Sequence, residues 1–295
     1  MSSFQGIWVP VVTPFHQGQV DFAGLRRLVA HLLNAGVHGL VVCGTTGEAA
    51  ALSRAEQLAV LDAVLELAPA EQVVMGLAGN HLADLLDRLD EIQQRSLAAV
   101  LVPAPYYIRP SQAALESFFN TVAERSRLPV ILYDIPYRTG ATLACETLLN
   151  ITRHERIVAV KDCGGNPANT LALLASGNAA VLAGEDAQIF TALCLGAQGA
   201  ITAAAHIHPE QFVALYEQVQ SQQWLAARET FFGLLPLIQT LFSEPNPAPV
   251  KTALALQGLI VDELRAPLLG SSDGVRELLS GLGLARLQAG IGLVG

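Results

Sequence analysis

Short, almost continuously apolar runs recur along the first two thirds of the chain, separated by longer segments with helical periodicity. A strand that is covered on both faces shows this kind of run, because neither face meets water. The pattern predicts eight strands, at residues 6–12, 39–43, 73–76, 98–102, 129–133, 157–161, 179–183 and 199–202.

Helical patterns lie between and after these runs. In residues 21–35 apolar side chains recur every three to four positions, and the pattern stops at Gly36. Ser53 and Glu56 form the Ser-x-x-Glu motif of a helix capping box. The other helices that we predict among the strands span residues 53–68, 82–95, 111–125, 144–152, 167–175, 187–195 and 209–221. After residue 222 the strand patterns stop, and helices are predicted at 224–241, 249–256 and 274–282.

Eight strands in strict alternation with eight helices indicate a (β/α)8 barrel. An open, doubly wound sheet is the competing arrangement, and it usually carries a G-x-G-x-x-G turn after its first strand. Residues 13–18 do not supply that turn. We therefore predict an α/β protein with a (β/α)8 TIM barrel over residues 1–222 that carries the active site, followed by a C-terminal helical region at residues 223–295.

Composition narrows the classes of function. The 295 residues include 17 basic and 26 acidic side chains, and no basic stripe is present. Nucleic-acid binding is therefore disfavoured, because phosphates are neutralised by clustered Lys and Arg. The four cysteines are far apart and form no Cys-x-x-Cys pair, which disfavours a metal site and favours a cytoplasmic location. The N-terminus lacks the basic and apolar regions of a secretory signal.

Two segments without charged residues, 163–184 and 187–209, have the length of membrane spans. Gly, Asn, Gln and Pro interrupt both segments, and small residues replace the run of Leu, Ile and Phe that a span normally has. We therefore predict that they are buried elements of an α/β protein, and that the protein has no membrane association.

Lysine is nearly absent: fifteen of the 17 basic side chains are arginine, and the two lysines are Lys161 and Lys251. Lys161 ends the sixth predicted strand, at the rim where a (β/α)8 barrel builds its active site. An ammonium at the end of an apolar strand is costly unless it is paired or loses its proton, and a neutral amine can form a Schiff base. The alternative is a lysine that extends to solvent at the rim. Lys251 is interpreted as a structural or interface residue.

Tyrosines are concentrated in two loops at predicted strand ends. Four of the five tyrosines of the chain lie there: Tyr106, Tyr107, Tyr133 and Tyr137. Schiff-base chemistry moves protons between its intermediates, and a phenol can carry them. The alternative for each of these tyrosines is aromatic packing with a hydrogen-bonded hydroxyl.

Two further strand-end features are suited to anions. The Gly-Thr-Thr-Gly-Glu turn at residues 44–48 presents backbone amides and two hydroxyls, which suit a carboxylate or a phosphate. An ordinary polar loop is the alternative. Arg138 could clamp a second carboxylate or form a salt bridge at the rim. Together with Lys161 and the tyrosines, these features indicate an enzyme that forms an imine with a 2-oxo acid.

Six motifs resemble, in order and spacing, those of the dihydrodipicolinate synthase / N-acetylneuraminate lyase family of class I pyruvate-dependent lyases. They are Gly44-Thr-Thr-Gly-Glu48, Pro105-Tyr-Tyr-x-x-Pro110, Tyr133-x-x-Pro136, Arg138-Thr-Gly140, Val160-Lys161 and Asn246-Pro-x-Pro-Val-Lys251. The resemblance extends from Thr13 to the C-terminal helices. It implies that Lys161 forms a Schiff base with pyruvate. It also implies that Tyr133 carries protons together with Thr45 and with Tyr107 of a neighbouring subunit.

The same resemblance implies the substrate contacts. Thr45 and Thr46 would hold the carboxylate of pyruvate, Gly184 and Ile201 would line the pyruvate pocket, and Arg138 would bind the carboxylate of aspartate semialdehyde. It further implies a homotetramer built as a dimer of dimers, with no metal and no cofactor apart from the substrate's own Schiff base on lysine.

Arg138 favours one branch of the family, because its sugar-acid lyases tend to lack an arginine there. That branch condenses pyruvate with L-aspartate semialdehyde to 4-hydroxy-tetrahydrodipicolinate, which opens the lysine and diaminopimelate pathway. Residues 162–166 and 205–209 depart from the family pattern and leave two alternatives open. One is a retro-aldol lyase or dehydratase that acts on a 2-keto-3-deoxy sugar acid or a related 2-oxo acid. The other is a non-catalytic paralogue that binds a 2-oxo acid.

Overall fold

The structure is a computed structural model and describes residues 4–284. In chain order its strands are β1 (Gly6–Pro10), β2 (Phe15–His16), β3 (Gln19–Val20), β4 (Gly39–Val42), β5 (Val73–Gly76), β6 (Ala99–Pro103), β7 (Val130–Asp134), β8 (Ile157–Asp162), β9 (Ala180–Ala183) and β10 (Gly199–Ile201). Strands β1 and β4–β10 are parallel, and pairing of β10 with β1 closes them into a barrel. The predicted (β/α)8 barrel is therefore confirmed, and the open sheet is excluded.

Helices surround and follow the barrel. In chain order they are α1 (Phe22–Asn34), α2 (Arg54–Leu65), α3 (Leu82–Ile92), α4 (Gln112–Arg125), α5 (Pro136–Thr139), α6 (Cys145–Ile151), α7 (Pro167–Ser176), α8 (Ile189–Cys194), α9 (Pro209–Gln220), α10 (Trp224–Leu241), α11 (Ala248–Leu256) and α12 (Asp273–Gly281). The capping box predicted for α2 is formed. Ser53 Oγ accepts from the amide of Glu56 at 3.2 Å, and Glu56 Oε2 accepts from the amide of Ser53 at 2.8 Å.

Helix α5 was not predicted from the sequence, because a helix of four residues is too short to show a period. Pro136 stands at its first position, and Gly140 ends it in the left-handed conformation with φ 71°. Proline at the first turn and glycine just beyond the last are the usual boundaries of a helix. This single turn sets the position of Arg138. The hairpin of β2 and β3 also escaped prediction, because each of its strands has only two residues.

The C-terminal helices share their packing with the barrel. Leu234, Ile238 and Leu254 belong to the same buried apolar cluster as Leu40 and Val100 of the barrel strands. The division at residue 222 remains a prediction. Residues 285–295 of the predicted helical region lie outside the described part, as do residues 1–3, on which the prediction about a secretory signal partly rests.

The two uncharged segments of the sequence each divide into a helix and a barrel strand. Residues 163–184 contain α7 and β9, and residues 187–209 contain α8 and β10. Across residues 4–284, no helix combines the length and the apolar character that crossing a membrane requires.

Candidate active site

A cleft opens at the carboxyl ends of the barrel strands, with a volume of about 330 Å³ including its mouth. Small-molecule sites commonly start at about 300 Å³, so the cleft is sized for small substrates. Seven of the eight predicted site residues line it: Thr45, Thr46, Tyr133, Arg138, Lys161, Gly184 and Ile201. The cleft is completed by Pro10, Tyr137, Asp186, Ala203, Phe242 and Asn246.

Lys161 and Tyr133 lie side by side inside the barrel. They are register partners on the parallel strands β8 and β7, so their side chains point to the same face. Lys161 Nζ lies 4.2 Å from the centroid of the Tyr133 ring, and Lys161 is only 6% exposed. Within residues 4–284, no carboxylate forms an ion pair with Lys161, whereas Lys251 is paired with Glu48. Lys161 is therefore a buried amine without a counter-ion, and it does not extend into solvent at the rim.

The surroundings of Tyr133 keep its phenol protonated. Burial raises the pKa of Tyr133 well above its usual value, and the neighbouring Cys163 adds to the increase. A hydrogen bond with Thr45 and the charge of Arg138 oppose the shift in this pKa. A phenol that holds its proton at neutral pH can donate it to a reacting oxygen, and Thr45 places a second hydroxyl within hydrogen-bond reach of Tyr133.

The turn at Gly44–Glu48 is held on two sides while its threonines face the cleft. Thr13 Oγ1 donates to the carbonyl of Gly47 at 2.7 Å, and Asn246 Nδ2 donates to Thr46 Oγ1 at 2.8 Å. A Cβ at Gly47 would lie 3.0 Å from the carbonyl oxygen of Val11, so the close approach of the turn to the residue that follows β1 favours glycine. The turn leads into a short 3₁₀ turn, Ala49–Ala51, and not directly into a long helix. Anion binding here would therefore depend on amides and hydroxyls of the turn itself.

Arg138 presents a charge to the cleft. Its guanidinium carbon lies 5.7 Å from the centroid of the Tyr137 ring. No carboxylate in the described range forms a salt bridge with Arg138, so the alternative of a rim salt bridge does not describe this side chain. A guanidinium without a protein counter-ion is suited to a carboxylate ligand, because its fork of N–H donors matches two carboxylate oxygens.

Tyr107 is the predicted site residue that this subunit does not bring to the cleft. Its side chain is 88% exposed, and its backbone adopts the left-handed conformation with φ 73°. The flanking Tyr106 and Ile108 are also exposed. Within one subunit, Tyr107 is therefore separate from the site formed by the other seven residues.

The chain matches known proteins over nearly its whole length. Residues 3–282 match the sequence model described as the Dihydrodipicolinate synthetase family. The chain belongs to this family. A 4-hydroxy-tetrahydrodipicolinate synthase from Methanosphaerula palustris is 35% identical over 273 residues, which cover 90% of this chain and 93% of that relative. A protein named 4-hydroxy-tetrahydrodipicolinate synthase 2, from Clostridium acetobutylicum, is 33% identical over 280 residues, which cover 94% and 98%.

Solved structures of the dihydrodipicolinate synthetase family have the same fold. The dihydrodipicolinate synthase of Thermotoga maritima superposes with a TM-score of 0.92 at 32% identity, covering 95% of this chain and 97% of that one. A structure described as the first monomeric dihydrodipicolinate synthase variant gives the same TM-score, identity and coverage.

Asp186 is a cleft residue of this family member that the sequence reasoning missed. Its Oδ2 accepts hydrogen bonds from the Thr202 hydroxyl at 2.7 Å and from the Ala204 amide at 2.6 Å. Burial raises the pKa of Asp186 to about 6, while these hydrogen bonds and the charge of Lys161 oppose the shift. Two acidic residues just beyond Gly184, which follows the apolar strand β9, were the signal that could have identified it.

The segment around His206, which departs from the family pattern, is built into the barrel. His206 is fully buried, and its Nε2 accepts from the amide of Val12 at 3.1 Å. Its Nδ1 lies 2.7 Å from the carbonyl oxygen of Ala203. Burial lowers the pKa of His206 to about 4, so the ring is neutral at neutral pH. Both ring nitrogens are thus engaged, and the described residues contain no cluster of three or more His, Cys, Asp or Glu that could hold a metal ion.

In the other unusual segment of this family member, the carboxylate of Asp162 acts on a second carboxyl group, that of Asp134. Asp134 is buried, and its Oδ1 has no hydrogen-bond partner among residues 4–284. Burial, and then the charge of Asp162, raise the pKa of Asp134 to about 7. Because the folded state binds this proton more tightly than the unfolded chain, the stability that it contributes is full below about pH 4 and is lost as the pH rises to about 7.

We therefore expect Asp134→Asn to stabilise the protein at pH 8 by up to about 4 kcal/mol, and to change its stability little at pH 4. Urea unfolding at the two pH values measures the difference. Asp87→Asn, at an exposed carboxyl, is the matched control and should show no such pH-dependent gain. An equal gain at both pH values would contradict the assignment of the effect to Asp134 ionisation.

Proposed function

We propose that this protein is a lyase that condenses pyruvate with L-aspartate semialdehyde to form 4-hydroxy-tetrahydrodipicolinate. The observation that carries the proposal is the buried amine of Lys161, which lies beside the Tyr133 ring in a cleft that also contains Arg138, a cation that forms no ion pair with any carboxylate of residues 4–284. Membership of the dihydrodipicolinate synthetase family supports the same reaction.

In the proposed reaction the amine of Lys161 adds to C2 of pyruvate, and the carbinolamine loses water to become an imine. Loss of a proton from C3 gives the enamine. C3 then forms a bond to the aldehyde carbon of the second substrate, and the aldehyde oxygen takes up a proton. The amino group of the second substrate finally displaces Lys161 from C2, which closes the ring and frees the enzyme. No cofactor takes part.

Tyr133 and Thr45 are proposed to move the protons of these steps. Tyr133 donates a proton to the departing hydroxyl of the carbinolamine and recovers one when C3 is deprotonated. Thr45 links Tyr133 to the next group of the relay. We propose that this next group is Tyr107 of a neighbouring subunit, because in its own subunit Tyr107 is exposed and does not line the cleft.

Pyruvate is proposed to lie between the Gly44–Glu48 turn and the ends of strands β9 and β10. Thr45 and Thr46 would bind the carboxylate of pyruvate. At Gly184 a Cβ would collide with Cys163 Sγ and would lie 3.0 Å from Lys161 Cγ, so glycine keeps the space next to the amine open. Ile201, buried at the end of β10, would close the apolar side of the pocket.

A homotetramer built as a dimer of dimers remains a prediction, as does a cytoplasmic location. The exposed tyrosines of the loop at residues 106–107 support an assembly in which that loop meets another subunit. One similar solved structure is described as a monomeric variant, so family membership by itself does not fix the assembly of this protein.

We expect Arg138→Leu to raise the KM for aspartate semialdehyde by about 10- to 100-fold, because a hydrogen bond to a charged group contributes roughly 1.5–3 kcal/mol. Pyruvate binding should change little. The measurement is turnover of pyruvate with aspartate semialdehyde and, separately, with an uncharged hydroxylated aldehyde. The wild type should prefer the carboxylated aldehyde, and the variant should lose that preference.

Arg153→Leu, at an exposed arginine that does not line the cleft, is the matched control and should behave like the wild type. Two results would overturn the proposed acceptor. One is wild-type turnover with hydroxylated aldehydes only, as expected for the retro-aldol alternative. The other is pyruvate capture without turnover of any aldehyde, as expected for a non-catalytic paralogue.

A further inference from the structure

The second lysine of the chain, Lys251, contacts the turn that lines the cleft although some 200 residues separate them in sequence. We propose that Lys251 is a positioning residue whose buried ion pair with Glu48 holds the Gly44–Glu48 turn in the shape that binds the carboxylate of pyruvate. The inference depends on the proposed function, in which that turn holds the carboxylate.

The ion pair is completely removed from solvent. The side chains of Lys251 and Glu48 are both 0% exposed, and Lys251 Nζ pairs with Glu48 Oε1. The same ammonium donates to the carbonyl of Glu263 at 2.8 Å and lies 4.2 Å from the centroid of the Phe15 ring. A buried charge is tolerated only when it is paired and hydrogen-bonded, so each partner restricts the other to one position.

Glu48 transmits this restriction to the turn through its backbone. Its φ of 53° is in the left-handed region, which residues other than glycine adopt infrequently. The amide of Glu48 donates to the carbonyl of Thr45 at 3.1 Å, and Glu48 Oε2 accepts from the amide of Arg265 at 3.2 Å. A shift of the carboxylate would therefore move the backbone of Thr45, the residue proposed to bind substrate.

The segment that carries Lys251 contacts the turn at a second point. Asn246, five residues earlier, donates from its Nδ2 to the hydroxyl of Thr46 at 2.8 Å. The C-terminal region thus contacts the Gly44–Glu48 turn at both Thr46 and Glu48. Without these contacts, the turn would lose its links to the C-terminal region, although its internal hydrogen bonds, the bond from Thr13 and the bond between Thr45 and Tyr133 would remain.

The surroundings also explain why this position is not arginine in a chain with so little lysine. The guanidinium carbon of Arg265 lies 4.5 Å from the centroid of the same Phe15 ring. Arg265 already donates to the carbonyls of Gly18 and Ala51 and to Glu56. The remaining space beside Glu48 suits the compact head of lysine, whereas a planar guanidinium needs more room.

The test compares the wild type with Lys251→Met, Glu48→Gln and the double variant that combines them. The probe is pyruvate itself, trapped on the enzyme by borohydride and measured by intact mass over a range of pyruvate concentrations. The double variant leaves no unpaired buried charge, so it is the one expected to fold with near-native stability. Thermal unfolding of each variant records its stability.

Thr252→Val is the matched control. Thr252 is a buried neighbour of Lys251 on α11, and its hydroxyl bonds to Asp262 and Ser271, not to the turn. It should lose stability without any change in the pyruvate concentration that gives half-maximal trapping. This control separates general damage to the C-terminal region from displacement of the turn.

We expect the double variant to need about 100-fold more pyruvate for half-maximal trapping, because small misplacements of a binding group carry penalties of that size. Either single variant that folds should show a similar increase in this pyruvate concentration, since loss of one partner is enough to remove the ion pair. The KM for the aldehyde should stay near its wild-type value.

A folded double variant that traps pyruvate at the wild-type concentration would overturn the inference. So would an equal increase in the Thr252→Val control. If the wild type itself traps no pyruvate, the proposed function fails, and that failure is distinguishable because it appears before any variant is compared.

Discussion

Replacing Lys161 with methionine is expected to abolish covalent capture of pyruvate and to lower kcat by roughly 10⁴- to 10⁶-fold, the range seen when catalytic residues of a covalent mechanism are removed. The physical reason is that the amine of Lys161 is the only protein group of the proposed mechanism that bonds to substrate carbon. The measurements are turnover with aspartate semialdehyde and the mass added by pyruvate and borohydride. Folding should survive, because the apolar side chain of methionine replaces a buried amine that forms no ion pair within residues 4–284, so no salt bridge is broken.

Lys161→Arg is the informative companion to this variant. Arginine keeps a positive charge but stays protonated at any working pH, so it cannot act as an amine nucleophile. If Lys161 serves only as a charge that attracts the pyruvate carboxylate, the arginine variant should retain most of the activity. We expect it to be as inactive as the methionine variant. Substantial turnover by Lys161→Arg would therefore contradict the Schiff-base mechanism.

Tyr133→Phe is expected to lower kcat by roughly 10²- to 10⁴-fold, the usual contribution of a positioned general acid–base. The ring that packs against Lys161 is kept, and only the proton carrier is lost. Given enough time, pyruvate should still be trapped on Lys161, because the nucleophile is intact. The combination of slow turnover and retained trapping would separate proton transfer from substrate binding.

Tyr216→Phe is the matched control for loss of a phenolic hydroxyl. Tyr216 is a buried tyrosine on α9 that packs edge-on against His38 and does not line the cleft. It should retain wild-type kcat. If Tyr133→Phe also retains wild-type kcat, another group moves the proton and the assignment to Tyr133 is wrong.

Much of the fold could be predicted from local patterns. Strands covered by helices on one face and by lumen side chains on the other are apolar throughout, so all eight barrel strands were visible in the sequence. The rule that barrel enzymes use the carboxyl ends of their strands then selected Lys161, Tyr133 and the Gly44–Glu48 turn. The structure places all of these at one cleft.

The features that escaped prediction depend on contacts between distant segments or on very short elements. Asp186 was overlooked because the acidic pair after β9 does not show by itself which of its two members is buried beside the cleft. The single turn of α5 is too short to have a period, although it sets where Arg138 lies. The exposure of Tyr107 could not be predicted from the sequence either, because the side chain of a loop tyrosine can point toward the cleft or toward solvent.

The two lysines show most clearly what the sequence determines and what only the tertiary structure determines. The sequence alone singled out Lys161 as a candidate Schiff-base lysine, because an amine at the end of an apolar strand in a lysine-poor chain needs a reason that charge does not supply. For Lys251 it left a choice between structural and interface roles. Only the tertiary structure decided that Lys251 pairs with Glu48 inside the protein. The physical reason is that this buried ion pair forms only once the barrel has closed and the C-terminal helices have packed against it. A local sequence pattern does not show which distant residues will come into contact.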